Sequence, residues 1–318
     1  MVTHAILMPL KANDEYPPPV WIRYFNESFN KVKNYKLYIG VDENDLLWKN
    51  KYYDIAIKEI DFIEVVSPKN QSSGAVCKIW NNLAKRAYDD GCNGLFVLFG
   101  DDVKYINTTK DENWLDYIYE KYTDLYLFQP IDNFDNSCCT FPILPAAHID
   151  TFKHLFPEDF VNQGADPFLW SLYRKLNSIK TDKIYVENYR GGVSKLSPNV
   201  KDRNEPLYKK VNISDSKFDT LLNIWCNILK NKGYKTIQTI DVIVPTYRCD
   251  VEKLKLIREI CMTSNAFLII QVDNPELSKQ IEHLENFNTR IRINKCNIGA
   301  PATRNKGANE SKADIITF

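Results

Sequence analysis

Two adjacent carboxylates, Asp101 and Asp102, close the apolar run Leu95-Phe96-Val97-Leu98-Phe99-Gly100. The run is short, rich in β-formers and preceded by Gly91 and Gly94, so it is expected to be a buried central strand. Ligands of open α/β sheets sit just beyond the carboxyl ends of the strands. Two hard oxygen donors placed there suit Mg²⁺ or Mn²⁺, and such a cation in turn suits a diphosphate. Asp89-Asp90 is a similar pair in a helix-end context, so placement after the strand, and not pairing alone, singles out Asp101 and Asp102.

The elements that must position this pair can be read from the pattern upstream. Ala5-Ile6-Leu7-Met8-Pro9 is expected to be a first strand, stopped by Pro9. A helix carrying Trp21, Tyr24, Phe25 and Val32 on one face comes after it. Leu37 to Val41 is a second strand ending at Asp42-Glu43, the stretch around Trp48, Tyr52 and Ile55 is helical, and Phe62 to Val66 is a third strand. A helix over 75–88 places Ile79, Leu83 and Ala87 on one face, and Leu95 to Phe99 is the fourth strand. This alternation predicts a parallel, doubly wound α/β sheet. Beyond Asp102 the pattern changes: a helix near 114–121, a strand at Leu125 to Phe128, segments at 139–144 and 149–156, a helix over 167–176 and a loop at Asn188 to Gly192. The run 195–208, with Pro198, Asn204 and Pro206, is expected to be a domain edge.

An amphipathic helix over 216–232 comes next, with Phe218, Leu221, Leu222, Trp225, Ile228 and Leu229 on one face and Gly233 as its stop. It is expected to be a packed connector; a membrane-surface helix is the alternative, against which its polar face is not strongly basic. The chain then starts again. Asp241-Val242-Ile243-Val244-Pro245 repeats the first strand, and Asp250 lies after Pro245 by the spacing that separates Asp14 from Pro9. Val272-Asp273 repeats Val41-Asp42, Asn305 and Ala308 match Asn81 and Ala84, and Ala313 to Phe318 matches the strand before Asp101. The expected layout is a whole domain over 1–205, a connector over 206–237 and the first half of a second copy over 238–318. A half-domain of this kind is expected to come from a longer natural protein.

Composition narrows the classes. At 318 residues, 44% hydrophobic and 26% charged, the chain has the make-up of a soluble globular protein with room for about two domains. Its formal net charge is zero and no basic block is present, which argues against a nucleic-acid partner. No secretory signal and no run of about 20 apolar residues is visible. The eight cysteines include no Cys-x-x-Cys pair and there are four histidines, so a structural zinc site is not expected; free thiols in a reducing, cytoplasmic compartment are. The sequons at Asn107 and Asn212 are then chance matches.

In the second copy, Val242-Ile243-Val244-Pro245-Thr246-Tyr247-Arg248 resembles the opening strand of family 2 nucleotide-sugar glycosyltransferases of the GT-A fold. Asn297-Ile298-Gly299-Ala300-Pro301-Ala302-Thr303-Arg304-Asn305-Lys306-Gly307 resembles their donor-site helix entry, and Ile315 to Phe318 the strand that leads into their Asp-x-Asp metal motif. This match covers about a quarter of the chain. In the first copy Gly100-Asp101-Asp102 takes the Asp-x-Asp place. Thr140-Phe141-Pro142, Gly164-Ala165-Asp166-Pro167-Phe168-Leu169-Trp170 and Tyr173-Arg174 resemble the acceptor half of multidomain glycosyltransferases of large DNA viruses and eukaryotic microbes.

The resemblance implies a metal-dependent transfer of a sugar from a nucleotide donor, a UDP-sugar above all, to a glycan hydroxyl. Asp102 would hold Mn²⁺ or Mg²⁺, with Asp101 touching the metal through water or the ribose. The cation would offset charge that builds on the leaving diphosphate. Pro9 and Leu10 would begin the loop under the nucleotide, Asp42 would accept a hydrogen bond from the base edge, and Ser73-Gly74, opening the helix that carries Asn81, would approach the donor through backbone N–H groups. Asp166 would be the general base of an inverting displacement. Ordinary structural roles compete at each position: a helix cap for Asp42 and Asp166, a turn for Gly74, a core side chain for Trp170 and a surface cation for Arg174. A late histidine ligand is not evident, since His148 and His154 are early and expected to be helical. Two other classes stay open: a binding module that has lost turnover, and a sugar nucleotidyltransferase. The second normally needs a Gly-rich basic loop after the first strand, whereas Pro9-Leu10-Lys11-Ala12-Asn13-Asp14 has no Gly.

Overall fold

The computed structural model describes residues 2–67, 76–132, 139–161, 164–189, 214–264, 266–285, 288–311 and 313–318. Its first half alternates strictly: β1 (His4–Pro9), α1 (Pro18–Phe29), β2 (Tyr35–Asp42), a π-turn at Trp48–Tyr52 running into α2 (Tyr53–Glu59), β3 (Ile63–Ser67), α3 (Val76–Asp89) and β4 (Leu95–Leu98). These four strands lie parallel in the order β3-β2-β1-β4, with Leu7 opposite both Tyr38 and Leu98. A strand covered on both faces needs apolar residues at every position. Ala5 to Met8 meet that need, and all four are fully buried. Ile6 and Met8 pack with Trp21, Phe25 and Phe29 of α1, whereas Ala5 and Leu7 pack with Ile79, Leu83 and Ala87 of α3. The two helices therefore cover opposite faces. The close seat of α3 depends on Gly40, where a Cβ would lie 2.4 Å from Ile79 Cγ2.

The chain then turns back on itself: β5 (Val103–Asn107), α4 (Trp114–Lys121), β6 (Leu127–Phe128), β7 (Ile131–Asp132), β8 (Ile143–Pro145), α5 (Ala146–Phe152), α6 (Ala165–Lys175), β9 (Ile179–Lys180) and β10 (Ile184–Asn188). The main sheet grows to seven strands, β3-β2-β1-β4-β8-β6-β9, in which β8 alone runs antiparallel to its neighbours. A separate three-stranded sheet, β5-β10-β7, stands beyond the carboxyl end of β4. The wholly parallel sheet expected from the alternation is thus a mixed α/β sheet, parallel-rich, because the segment after β4 returns antiparallel. His154 lies past the end of α5 and is not helical.

After α7 (Asp215–Asn231) come β11 (Ile240–Thr246), α8 (Val251–Thr263), β12 (Phe267–Val272), β13 (Thr289–Ile293), α9 (Ala300–Glu310) and β14 (Ile315–Thr317). These strands form an all-parallel sheet in the order β13-β12-β11-β14, the order of β3-β2-β1-β4. Two 3₁₀ turns, Pro275–Gln280 and Glu282–Leu284, stand where α2 stands in the first sheet. Ser214 caps α7 by accepting from Lys217 N, and Gly233 stands past its end at φ +87°. The apolar face of α7 lies on α5 and α6: Trp225 stacks on Phe152 at 4.1 Å and meets Phe168 edge-on at 5.3 Å. Beyond α7, Trp170 of α6 meets Phe267 of β12 edge-on at 4.9 Å. Among the described residues no helix is long and apolar enough to cross a membrane. Of the seven described cysteines all but Cys296 are buried; Cys138 lies outside the described residues.

Candidate active site

The carboxylate pair sits where β4 turns into β5. Phe99 N–H still donates to Leu7 O at 2.9 Å, which keeps the strand against β1 up to the last apolar residue. Val103 N–H then donates to Gly100 O, closing a turn that holds Asp101 and Asp102, both half-buried. A Cβ at position 100 would lie 2.9 Å from Asp102 Oδ1 and 3.2 Å from Val103 Cγ2, so a larger residue there would displace the Asp102 carboxylate. Tyr189 N–H donates to Asp102 O at 3.0 Å, so the end of β10 is fastened to the same turn. Tyr189 stacks on Tyr24 of α1 at 4.8 Å, and Tyr105 of β5 donates its hydroxyl to Leu98 O at 2.7 Å.

The loop after β1 joins this turn to the loop after β2. Leu10 is buried and its N–H donates to Gly40 O at 2.7 Å. Asn13 Nδ2 donates to Asp101 Oδ2 at 3.0 Å and to Lys11 O at 3.0 Å, while its Oδ1 accepts from Glu15 N and Tyr16 N. Ala12 N–H donates to Asp45 Oδ2 at 2.8 Å, and Asp45 Oδ1 accepts from Trp48 N. Asp14 accepts from the Tyr52 hydroxyl at 2.6 Å and pairs with Lys51 at 3.1 Å. Pro9 and Leu10, Asp42 at the end of β2, and Asp101 with Asp102 therefore stand along one edge of the sheet, at the carboxyl ends of β1, β2 and β4. The β1/β4 junction is where successive connections diverge, the place an open α/β sheet leaves for a ligand. Asn13 and Asp45 join the site without having been expected there from the sequence; the only signal was the Asn-Asp dipeptide, a turn former, in an otherwise plain loop.

The donor chemistry of this edge fits a small hard cation only in part from protein. Among the described residues no three His, Cys, Asp or Glu side chains converge as a metal cage. Two neighbouring carboxylates suffice for Mg²⁺ or Mn²⁺ where phosphate oxygens and water complete the shell, because Mg²⁺ keeps several waters and binds through one or two carboxylates.

Asp166 occupies the first turn of α6, entered through Gly164 at φ +92°. The residue is half-buried, and no described side chain pairs with its carboxyl. Burial pushes its pKa from the ordinary 3.8 to about 8. Its neighbour at the start of α3 is Cys77, whose thiol is driven up by its own burial and then by the Asp166 charge. Among the described residues no hydrogen bond or ion pair links Asp166 to Asp101 or Asp102.

The other expected site residues are dispersed. Ser73 and Gly74 lie outside the described residues. Asn81 is buried, and its carboxamide is committed to main chain: Oδ1 accepts from Leu155 N and Phe156 N, both at 2.9 Å, and Nδ2 donates to Phe156 O at 2.9 Å. A donor contact by Asn81 would have to compete with these bonds. Trp170 is a buried core side chain packed on Phe267. Arg174 pairs with Asp241 of β11 at 2.9 Å and lies over the Trp170 ring, away from Asp166. Tyr173 is buried with its hydroxyl 2.7 Å from His148 Nδ1. Burial lowers the His148 pKa to about 4, so the ring is neutral, with Nε2–H donating to Leu155 O at 3.0 Å. His148 is thus a structural bridge. Of the loop expected at Asn188 to Gly192, Asn188 ends β10, Tyr189 comes directly after it, and the rest lies outside the described residues.

No family model and no curated protein matches the chain. Solved structures do align with it. S. aureus TarS aligns at 15% identity and a TM-score of 0.42, over 72% of this chain and 43% of the other, so the chain spans less than half of that structure. TarS 1–349 in complex with UDP-GlcNAc aligns at 14% identity and a TM-score of 0.44, over 72% and 73%. The mannosyltransferase PcManGT from Pyrobaculum calidifontis, in complex with GDP-Man and Mn²⁺, aligns at 8% identity and a TM-score of 0.44, over 63% and 58%. Likeness at this level assigns no family, and the function has to be argued from the chain's own residues.

Proposed function

We propose that this chain is a metal-dependent glycosyltransferase that moves a sugar from a nucleoside diphosphate donor, a UDP-sugar, to a hydroxyl of a glycan acceptor. The observation that carries this reading is the Asp101-Asp102 turn at the β1/β4 junction, with Asp101 tied through Asn13 to the loop after β1. Asp101 and Asp102 would hold Mn²⁺ or Mg²⁺, which offsets the charge gained by the departing diphosphate. Asn13 orients the Asp101 carboxylate, and Gly100 leaves room for that of Asp102. Pro9 and Leu10 form the floor beneath the nucleotide, Ser73-Gly74 approach the donor by their backbone, and Asp42 accepts from the base edge. Asp166, when ionised, takes the acceptor hydroxyl proton as the acceptor oxygen bonds to the anomeric carbon and the bond to the diphosphate oxygen breaks, with inversion. A carboxyl with its pKa near 8 is poised for this work close to neutral pH. The domain limits 1–205, 206–237 and 238–318 belong to the same proposal. The order β3-β2-β1-β4 within the main sheet, matched by β13-β12-β11-β14, supports the four-stranded sheet as the first half of a second GT-A unit.

Thermal unfolding with UDP, with and without Mn²⁺, tests the donor site. A ligand at 100 times its Kd adds about 2.7 kcal/mol. The expected result is an upward Tm shift that requires Mn²⁺ and is lost in Asp102→Ala. Silence with UDP, GDP, CDP and dTDP alike would refute the site. A UDP shift without sugar transfer to any acceptor would favour the binding module over the enzyme.

A further inference from the structure

The main chain of the loop after β1 is pinned on both sides of Lys11. Leu10 N–H donates to Gly40 O at 2.7 Å, and Ala12 N–H donates to Asp45 Oδ2 at 2.8 Å. Asn13 Nδ2 donates to Lys11 O and to Asp101 Oδ2, each at 3.0 Å. Two acceptors on one such nitrogen lie no more than about 6 Å apart, so the Lys11 carbonyl stands beside the Asp101 carboxylate. The loop thus fixes the root of the Lys11 side chain against the turn that holds Asp101 and Asp102, and leaves the side chain itself exposed. A flexible four-carbon stem rooted there can reach a group bound at the carboxylate pair.

Charge sets this side chain apart. The connecting segments 10–17, 43–47 and 99–102 carry Asp14, Glu15, Glu43, Asp45, Asp101 and Asp102, and Lys11 is their only Lys or Arg. The neighbouring lysines are taken: Lys49 Nζ donates to Glu43 O, and Lys51 Nζ pairs with Asp14 at 3.1 Å. Among the described residues no group accepts from Lys11 Nζ. An anion that enters an edge this acidic is repelled unless cations meet it. A metal on Asp101 and Asp102 would be one such cation, and Lys11 is placed to be another, on the side of the loop after β1. An ammonium suits phosphate oxygens as a compact point charge. A diphosphate gains negative charge as it departs, so a cation fixed beside it favours the transition state over the bound donor.

We propose that Lys11 binds the diphosphate of the nucleotide donor and stabilises it as it leaves, an assignment that rests on the donor site proposed above. The full chain is titrated calorimetrically with UDP in the presence of Mn²⁺, as wild type and as Lys11→Arg, Lys11→Gln and Lys11→Glu. The side chain is exposed, so the Tm without ligand should be the same in all four proteins. UDP affinity should follow the charge at position 11. Lys11→Arg should stay within about twofold of wild type, Lys11→Gln should lose about five- to tenfold, and Lys11→Glu should lose more. A wild-type protein that binds UDP no better than Lys11→Gln overturns the inference and leaves the donor site standing. A loss in Lys11→Gln that Lys11→Arg shares in full also overturns it, because charge is then not what the site uses. A wild-type protein that binds no UDP with Mn²⁺ refutes the donor site, and this inference falls with it.

Discussion

Replacing Asp166 by Asn should stabilise the protein, by an amount that grows with pH. The carboxyl holds its proton in the folded state to about pH 8, whereas in the unfolded chain it loses it near 3.8. Between those values the folded state binds one more proton, so the stability this group contributes is full below 3.8 and falls as pH rises. The slope is about 1.4 kcal/mol per pH unit, or about 4 kcal/mol between pH 5 and pH 8 as an upper bound. Asp166→Asn keeps the shape and removes the titration. Urea unfolding of both proteins at pH 5, 6.5 and 8 should show the variant gaining on the wild type by up to that amount across the series. The same group decides catalysis in the proposed reaction: kcat/KM should climb as pH approaches 8, and the variant should lose roughly 10²- to 10⁴-fold in turnover. A stability difference that is flat with pH would refute the buried, unpaired carboxyl. Turnover retained in Asp166→Asn would refute its role as base while leaving the titration argument standing.

Three further substitutions test the geometry. Gly100→Ala forces a Cβ to within 2.9 Å of Asp102 Oδ1; UDP·Mn²⁺ affinity should fall roughly three- to tenfold, the cost of an off-rotamer carboxylate, with an unchanged Kd counting against Asp102. Asn81→Ala strands the buried N–H groups of Leu155 and Phe156 and should cost about 2–4 kcal/mol in urea unfolding while leaving the UDP Kd alone; a selective loss of UDP affinity would instead make Asn81 a donor contact. Arg174→Ala leaves Asp241, 3% exposed at its side chain, without its cation; removing one member of such a pair costs about 3–5 kcal/mol. Hydrogen exchange should then quicken in β11 first, and an unchanged β11 would mean that the pair does not hold the four-stranded sheet against α6.

The sequence alone was enough to place β1, β2, β4 and α3, because uninterrupted apolar runs and the Ile79-Leu83-Ala87 stripe are signals of burial itself. Pro9 and Pro245 likewise stand near the ends of β1 and β11, and the order β3-β2-β1-β4 within the main sheet is matched by β13-β12-β11-β14. The position of Asp101 and Asp102 directly after β4 was legible for the same reason, since the end of a buried central strand fixes where its next residues emerge. Beyond β4 the helices α4 and α6 were legible, but the strands of the small sheet were not. β5, β7 and β10 are short and half-exposed, and their pairing depends on partners up to about 80 residues away. The roles of polar side chains were decided only by the tertiary structure. Asn13 reaches Asp101 across 88 positions, Asn81 is taken up by Leu155 and Phe156, and Arg174 turns to Asp241 and not to Asp166. A polar side chain is assigned by whichever donor or acceptor folding brings within about 3 Å, and no local pattern encodes that distance.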